Sequence, residues 1–273
     1  MKRNSSYPGS VPEKYDRYLG PLLFEPFAED LATRIGAGLS QTPVLQDVLE
    51  IACGTGRLTR HLRRVLPPAT RLESLDLNPH MIAIAKRQVQ DAQIQWGISD
   101  AQDLPYEDAS FDLVVSQFGI MFIPDKAKAF TGFHRVLRPG GRLHFNTWNT
   151  IASNEVVYKA SEIIDRFFPD RPPAFYRSPF SFHDEDQIRS LVRAAGFSDI
   201  RMELRKMTGF SPTAAEAATG LVEGSPVIGF IIENAPELLF RIRESVEKEI
   251  AARFGEKPLQ SPLEAWVAEA RKK

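Results

Sequence analysis

VLEIACGTGRLT, residues 48–59, decides how this chain is read. Its apolar run is that of a parallel strand buried on both faces. Gly54 and Gly56 form a turn that lets the next helix start with its backbone close to a ligand. About 20 residues past Gly56 a second apolar stretch, RLESLDLN, carries Asp76 at its end. An acid at the tip of the second strand is where such folds bind the two ribose hydroxyls of an adenine nucleoside. Together the two features predict a nucleoside-binding protein.

The glycine pattern narrows the ligand. A dinucleotide fingerprint wants G-x-G-x-x-G, and here Thr59 stands at the third position. An acid, Glu50, lies inside the strand instead, in the run Glu50-x-Ala52-x-Gly54-x-Gly56. A carboxylate there would repel a pyrophosphate, whereas it would accept from the ammonium of an amino-acid tail. S-adenosylmethionine (SAM) is the adenine nucleoside with such a tail.

Composition sets outer bounds. The chain has 273 residues, 43% hydrophobic and 25% charged, with net charge −1, the profile of an ordinary globular protein. This charge offers no argument for nucleic acid or an anionic membrane. The basic segment RLTRHLRR (57–64) is expected to turn Arg57, Arg60, His61 and Arg64 to solvent, opposite Leu58, Leu62 and Val65. Five histidines and one cysteine form no metal-ligand spacing. No apolar run approaches the ~20 residues of a membrane helix, and the basic N-terminus MKRNSSYPGS lacks the apolar core of a signal peptide. A cytoplasmic protein with no metal and no membrane span is the expectation.

Strands alternate with helices through the first half: strand 47–52, helix 57–66, strand 71–76, helix 79–90, strand 94–98, strand 111–117, helix 125–137 and strand 142–148. RPGG (138–141) is expected to separate the last two. This order predicts an α/β fold, a mostly parallel sheet with helices on both faces. Residues 1–12 read as a polar tail, and 15–39 as two or three short helices interrupted by Pro21 and Pro26. Further on come helix 153–168, helix 184–195 stopped by Gly196, an alternating strand over 197–207, and helices over 212–255 punctuated by Gly224, Pro226 and Pro236. The segment 262–272 reads as an edge strand or a helix.

With these residues in place, the chain resembles the class I SAM-dependent methyltransferases, in particular the small-molecule group that includes the ubiquinone and menaquinone biosynthesis enzymes. VLEIACGTGRLT is similar to the first motif of that family, LDLNPHMIAIA to the second, and SDAQDLPYEDASFDLVVSQFGIMFIPD to the third and fourth. HRVLRPGGRLHFNTW resembles the stretch ending the fifth strand, and FHDEDQIRSLVRAAGFSDI the lead into the sixth. The resemblance covers about residues 44–207 and departs from the family at Ala52, commonly glycine. It implies a Rossmann-like seven-stranded sheet whose last strand runs antiparallel between strands five and six. The implied organisation is an N-terminal tail and helical cap (1–40), a SAM-binding core (41–210), a helical insertion acting as lid or dimer element (211–260), and the closing strand (261–273).

The resemblance also implies roles. Glu50 would hold the methionine ammonium, with the backbone at Ala52, Gly54 and Gly56 against the methionine moiety. Asp76 would take the ribose hydroxyls, with Leu77 and Met81 against the adenine. Asp100 would accept from the adenine amine, and the Ala101 amide would face a ring nitrogen. Gln117 and Phe118 would line the channel between sulfonium and acceptor. Each position also has an ordinary reading: Glu50 as the partner of an arginine, Asp76 as a helix N-cap before Pro79, Asp100 as a turn residue, Leu77 and Met81 as core. Cys53 reads as a small filler.

Absences limit the acceptor. SQFG stands where methyltransferases of nucleic-acid bases carry a D/N/S-P-P-Y/F motif, and one cysteine does not serve arsenic chemistry. Ser116-Gln117 is not the acid cluster of metal-dependent catechol enzymes. What remains is metal-independent transfer to O, N or C of a small organic acceptor, by proximity and orientation, leaving S-adenosylhomocysteine (SAH). Tyr15 and Tyr18 are candidates to close over the cofactor, Trp148 and Phe180 to line the acceptor pocket, and His183 to act as base. The aromatics of 167–182 suggest an acceptor with an apolar or aromatic part. Two alternatives stay open: a SAM-binding sensor or scaffold without turnover, and a methyltransferase of RNA or protein. A homodimer also stays open. A short-chain reductase is disfavoured, since none of the six tyrosines has a lysine four residues on.

Overall fold

The computed structural model describes residues 11–39 and 45–273. The segment MKRNSSYPGS, read as a tail, lies outside the described residues. The chain divides into two compact units.

One unit comprises Phe27–Trp148, Phe182–Arg205 and Ala265–Lys273. Its strands are β1 (Asp47–Ile51), β2 (Arg71–Asp76), β3 (Ile94–Ile98), β4 (Phe111–Gln117), β5 (Leu137–Trp148), β6 (Ser198–Ser211) and β7 (Leu259–Arg271). They form one seven-stranded sheet in the order β3-β2-β1-β4-β5-β7-β6, with β6 and β7 continuing into the other unit. β1 lies parallel between β2 and β4, β3 extends the parallel run, and β5 pairs parallel to β4. β7 runs antiparallel to β5, with Phe145 opposite Ala268. This is the seven-stranded Rossmann-like architecture that the resemblance implied. The closing segment is a strand, and it is internal rather than an edge.

Side chains alternate between the two faces of each strand, so each face gathers its own core. On one face, Val48, Leu72, Leu113, Val115 and Val267 meet Ala28, Leu31 and Ile35 of α2 (Glu25–Gly38) and Leu58 and Leu62 of α3 (Arg57–Val65). On the other, Phe145 packs on Phe130 of α5 (Lys126–Val136), whose Phe133 crosses Phe130 edge to face. α4 (Pro79–Gln88) and α7 (Glu185–Ala194) complete this unit, and α7 ends before Gly196 at φ 99°. The expectation that the whole basic face of α3 is solvated fails at two places. Arg64 is exposed, but Arg57 and His61 are buried. In a one-turn spacing these side chains sit next to the apolar stripe, and their long or planar bodies pack with it.

RPGG does not separate helix from strand as expected. It lies inside β5, where the register against β4 shifts between Phe111 and Leu113. Gly140 at φ 80° supplies the left-handed residue of this irregularity.

The other unit comprises Met1–Pro26, Asn149–Ser181 and Lys206–Glu264. It holds α1 (Val11–Lys14), a π-helical stretch Tyr15–Phe24, α6 (Glu155–Phe167), α8 (Ala214–Glu223), α9 (Val227–Asn234) and α10 (Leu239–Phe254). Val11 and Pro12, read with the tail, open α1 and are buried. Nor is the segment 15–39 broken into short helices: helical backbone runs without a gap from Val11 to Gly38. The wider π turn, closed by the Glu25 N–H on the Gly20 carbonyl, accommodates Pro21. Pro26 is the second residue of α2, directly after the π-helical stretch ends. Glu223 accepts from Lys14 and from Arg243 (2.9 Å), and the Tyr176 hydroxyl donates to the Leu221 carbonyl. Among the described residues, no single helix is long and apolar enough to cross a membrane.

The β5 irregularity separates two glycines that look alike in sequence. A Cβ on Gly140 meets nothing within 4 Å, whereas one on Gly141 lies 2.8 Å from the Arg138 carbonyl oxygen. Gly140→Ala is therefore expected to cost about 1 kcal/mol of backbone strain, and Gly141→Ala about 2 kcal/mol or more. Urea unfolding of the two variants reads the order directly.

Candidate functional site

The site is built at the carboxyl ends of β1, β2 and β4. Glu50, on β1, stands in register with Ser74 of β2 and is 1% exposed. Two hydroxyls donate to the same oxygen of its carboxylate: Thr59 Oγ1 at 2.6 Å and Ser74 Oγ at 2.8 Å. Burial pushes its pKa up to about 7, the hydroxyls pull it back in part, and the nearby Asp76 raises it further. Among the described residues no cation pairs with it. Thr59 is the residue standing where a dinucleotide fingerprint has glycine, and Ser74 interrupts an apolar strand. Those two irregularities were the sequence signal for this bond, and sequence reading passed over them.

Asp76 ends β2. Its Oδ2 accepts from the Gly54 N–H and its Oδ1 from the Asn78 N–H, both at 2.8 Å. It is not the helix cap: Asn78 caps α4 through the His80 N–H. Burial raises the Asp76 pKa, against the three backbone N–H groups of Asn78, Gly54 and Leu77 that favour its charge. One carboxylate thus ties the glycine loop to the second strand, a role not legible in the linear pattern. Each oxygen retains acceptor capacity for a hydroxyl.

The glycine loop needs left-handed backbone at Ala52 (φ 55°), Gly54 (φ 56°) and Gly56 (φ 81°). Ala52 holds this conformation without being glycine, so the turn survives the departure from the family pattern. A Cβ on Gly54 would meet no atom within 4 Å, so the loop is open above it. Cys53 is buried, and its thiol is pushed up by desolvation and by the Glu50 and Asp76 charges, the opposite of an activated nucleophile.

Beside Asp76 the wall is apolar and open. Leu77 is 48% exposed and Ile98, at the end of β3, 61% exposed, while Met81 is half-buried in the first turn of α4. Asp100 and Ala101 follow β3, and the Asp100 carboxylate accepts from the Gln102 N–H at 2.9 Å and from Gln102 Nε2. Asp100 is thus part of a turn, with both oxygens at half-buried positions.

Gln117 ends β4 half-buried. Phe118 follows at φ 51°, its ring stacked on Trp148 at 3.8 Å and 10°, with Phe27 edge-on to both. Trp148 is therefore buried in an aromatic cluster. His183 is half-buried directly before Asp184, which caps α7 through the Gln187 N–H. Tyr15, Tyr18 and Phe180 belong to the helical unit. There Tyr15 packs on Phe24 at 5.0 Å, Tyr18 lies against Gly220, and Phe180 is buried.

The donor set fits a SAM-type cofactor on its own chemistry. A buried carboxylate without a cation suits an ammonium, a second carboxylate suits vicinal hydroxyls, and exposed Leu77 and Ile98 suit a flat apolar base. Among the described residues the buried Asn78 Nδ2, two residues past Asp76, has no partner.

Comparison with known proteins agrees with this reading. Residues 49–145 match the model of the methyltransferase domain. The malonyl-[acyl-carrier protein] O-methyltransferase of Hahella chejuensis is 39% identical over 109 residues, 40% of this chain and 39% of that protein's length. The demethylmenaquinone methyltransferase of Staphylococcus haemolyticus is 27% identical over 218 residues, covering 73% of this chain and 87% of that enzyme. The fold is that of the Haemonchus contortus phosphoethanolamine N-methyltransferase 2 structure, with TM-score 0.61, 19% identity, and coverage of 99% of this chain and 59% of that one. Fold and domain match together support a class I SAM-dependent methyltransferase. Within that class the chain is similar to the ubiquinone and menaquinone biosynthesis group. Methyl transfer, rather than binding without turnover, is the activity these matches support.

Glu50 makes the ligand-free protein sensitive to pH. Its folded pKa, about 7, lies above the ordinary 4.5 of the unfolded chain, so the fold binds the extra proton. The stability this provides is full below pH 4.5 and is lost as pH rises through 7, a loss of about 3 kcal/mol. Glu50→Gln is expected to remove this slope and to be more stable than wild type at pH 8 in urea unfolding. Parallel pH profiles of the two proteins would contradict it.

Proposed function

We propose that the carboxyl ends of β1–β4 hold SAM and that the chain methylates a small organic acceptor with an apolar or aromatic part. The chemistry SAM would supply there is an activated methyl group, whose bond to the acceptor would form in line as its bond to sulfur breaks and SAH leaves. The observation that carries this reading is the pair of carboxylates, Glu50 and Asp76, without cation partners among the described residues, beside a glycine loop open above Gly54.

The chain's own groups then bind and orient. Glu50 accepts from the methionine ammonium, and that positive charge holds it ionised where burial alone favours the neutral acid. Asp76 accepts from the ribose hydroxyls while keeping its bonds to the Gly54 and Asn78 N–H groups. Leu77 and Met81 cover the adenine, Asp100 accepts from its amine, and the Ala101 N–H donates to a ring nitrogen. The backbone at Ala52, Gly54 and Gly56 lies against the methionine part. Gln117 and Phe118 border the transfer path, with Trp148 fixing the Phe118 ring. His183 is the candidate to take a proton from an acidic acceptor. Tyr15, Tyr18 and Phe180 belong to the helical segments to which we assign acceptor choice, with 211–260 as lid or dimer element. The similarity to demethylmenaquinone methyltransferases supports a quinone-like ring as acceptor, and a cytoplasmic place of action belongs to the same reading.

Titration calorimetry with SAM, SAH and NADH, on wild type and Asp76→Ala, tests the cofactor assignment. Micromolar binding of SAM and SAH with NADH silent is expected, weakened about 100-fold or more in Asp76→Ala by loss of the hydroxyl bonds and of the loop tie. A folded wild type that binds neither SAM nor SAH would refute it.

A further inference from the structure

Asn146 lies on β5, in register with Gln117 of β4, and is 0% exposed. Its Oδ1 accepts from the Phe118 N–H at 3.0 Å, and its backbone carbonyl accepts from the same N–H at 3.3 Å. Its Nδ2 is buried without a partner among the described residues. Leaving a buried amide donor unpaired is unfavourable, so an apolar side chain of equal length would be cheaper unless the acceptor oxygen is needed. An aspartate would supply the same acceptor but bury a charge. Asparagine is thus the neutral side chain of this length that offers an acceptor.

What the acceptor holds is strained. Phe118 sits at φ 51°, where a bulky residue is an outlier. The next residue, Gly119, is packed so tightly that a Cβ on it would fall 2.4 Å from the Ala52 Cβ and 2.9 Å from Ser116 Oγ. Ala52 is itself left-handed, at φ 55°. A chain of direct contacts therefore runs from the Asn146 amide, through the Phe118 backbone and Gly119, to the glycine loop that follows β1.

We propose that Asn146 is a positioning residue for methyl transfer: its amide clamps Phe118 in the left-handed conformation and so sets the glycine loop through the Gly119–Ala52 contact. The clamp acts through backbone and does not touch the cofactor. It rests on the cofactor reading above, because the loop it positions is the one assigned to the methionine part.

The test is SAH affinity by calorimetry in a double-mutant cycle of Asn146→Leu and Phe118→Gly. Glycine takes φ 51° without strain, so the clamp has nothing to hold in that background. Asn146→Leu alone is expected to weaken SAH about tenfold, and this penalty is expected to vanish on the Phe118→Gly background. A purely structural role for Asn146 would give the same penalty in both backgrounds. Equal penalties, or an Asn146→Leu protein that binds like wild type, would overturn the clamp while leaving the cofactor site intact. A wild type that fails to bind SAH overturns both. Should Asn146→Leu not fold, Asn146→Thr takes its place in the same cycle, with the same two outcomes.

Discussion

A buried carboxylate that no cation pairs among the described residues is the constraint on which the rest of this site depends. Glu50 is held by two hydroxyls on one oxygen, in a place where burial favours its neutral form. A fold does not retain such a group for stability, since an apolar residue of similar volume would cost less. On the function proposed above, a positive charge arriving with the ligand accounts for its retention. The parallel pairing of β1 with β2 makes this arrangement available, because it brings Ser74 in register with Glu50 and Asp76 to the same end of the sheet.

Asp76 fastens two stretches of backbone at once, the glycine loop through the Gly54 N–H and the start of α4 through the Asn78 N–H, and each of its oxygens keeps acceptor capacity. The left-handed residues Ala52 and Phe118 belong to the same economy of space, packed on either side of Gly119. Strain of this kind gathers where a backbone must be held in one arrangement.

Much of the fold was legible because strand and helix periods differ so plainly in residues 47–148. The strands at 94–98 and 111–117 fall where alternating and continuous apolar runs placed them. The misreadings have physical causes. Pro21 and Pro26 signal helix ends by local chemistry, yet a π turn and its junction with α2 absorb them. RPGG signals a break, yet Gly140 lets β5 carry it as an irregularity. Arg57 and His61 are polar types that periodicity places on a solvent face, yet both are buried.

The sequence by itself determined the order of strands and helices, the glycine turn, and the acids Glu50 and Asp76 near strand ends, since periodicity and local backbone chemistry are written in neighbouring residues. Only the tertiary structure decided what those acids touch. Thr59, Ser74, Gly54 and Asn146 lie 9, 24, 22 and 28 residues from their partners, so their hydrogen bonds exist only once the sheet has assembled. Burial, which sets the charge state of Glu50, likewise belongs to the packed chain and to no segment of it.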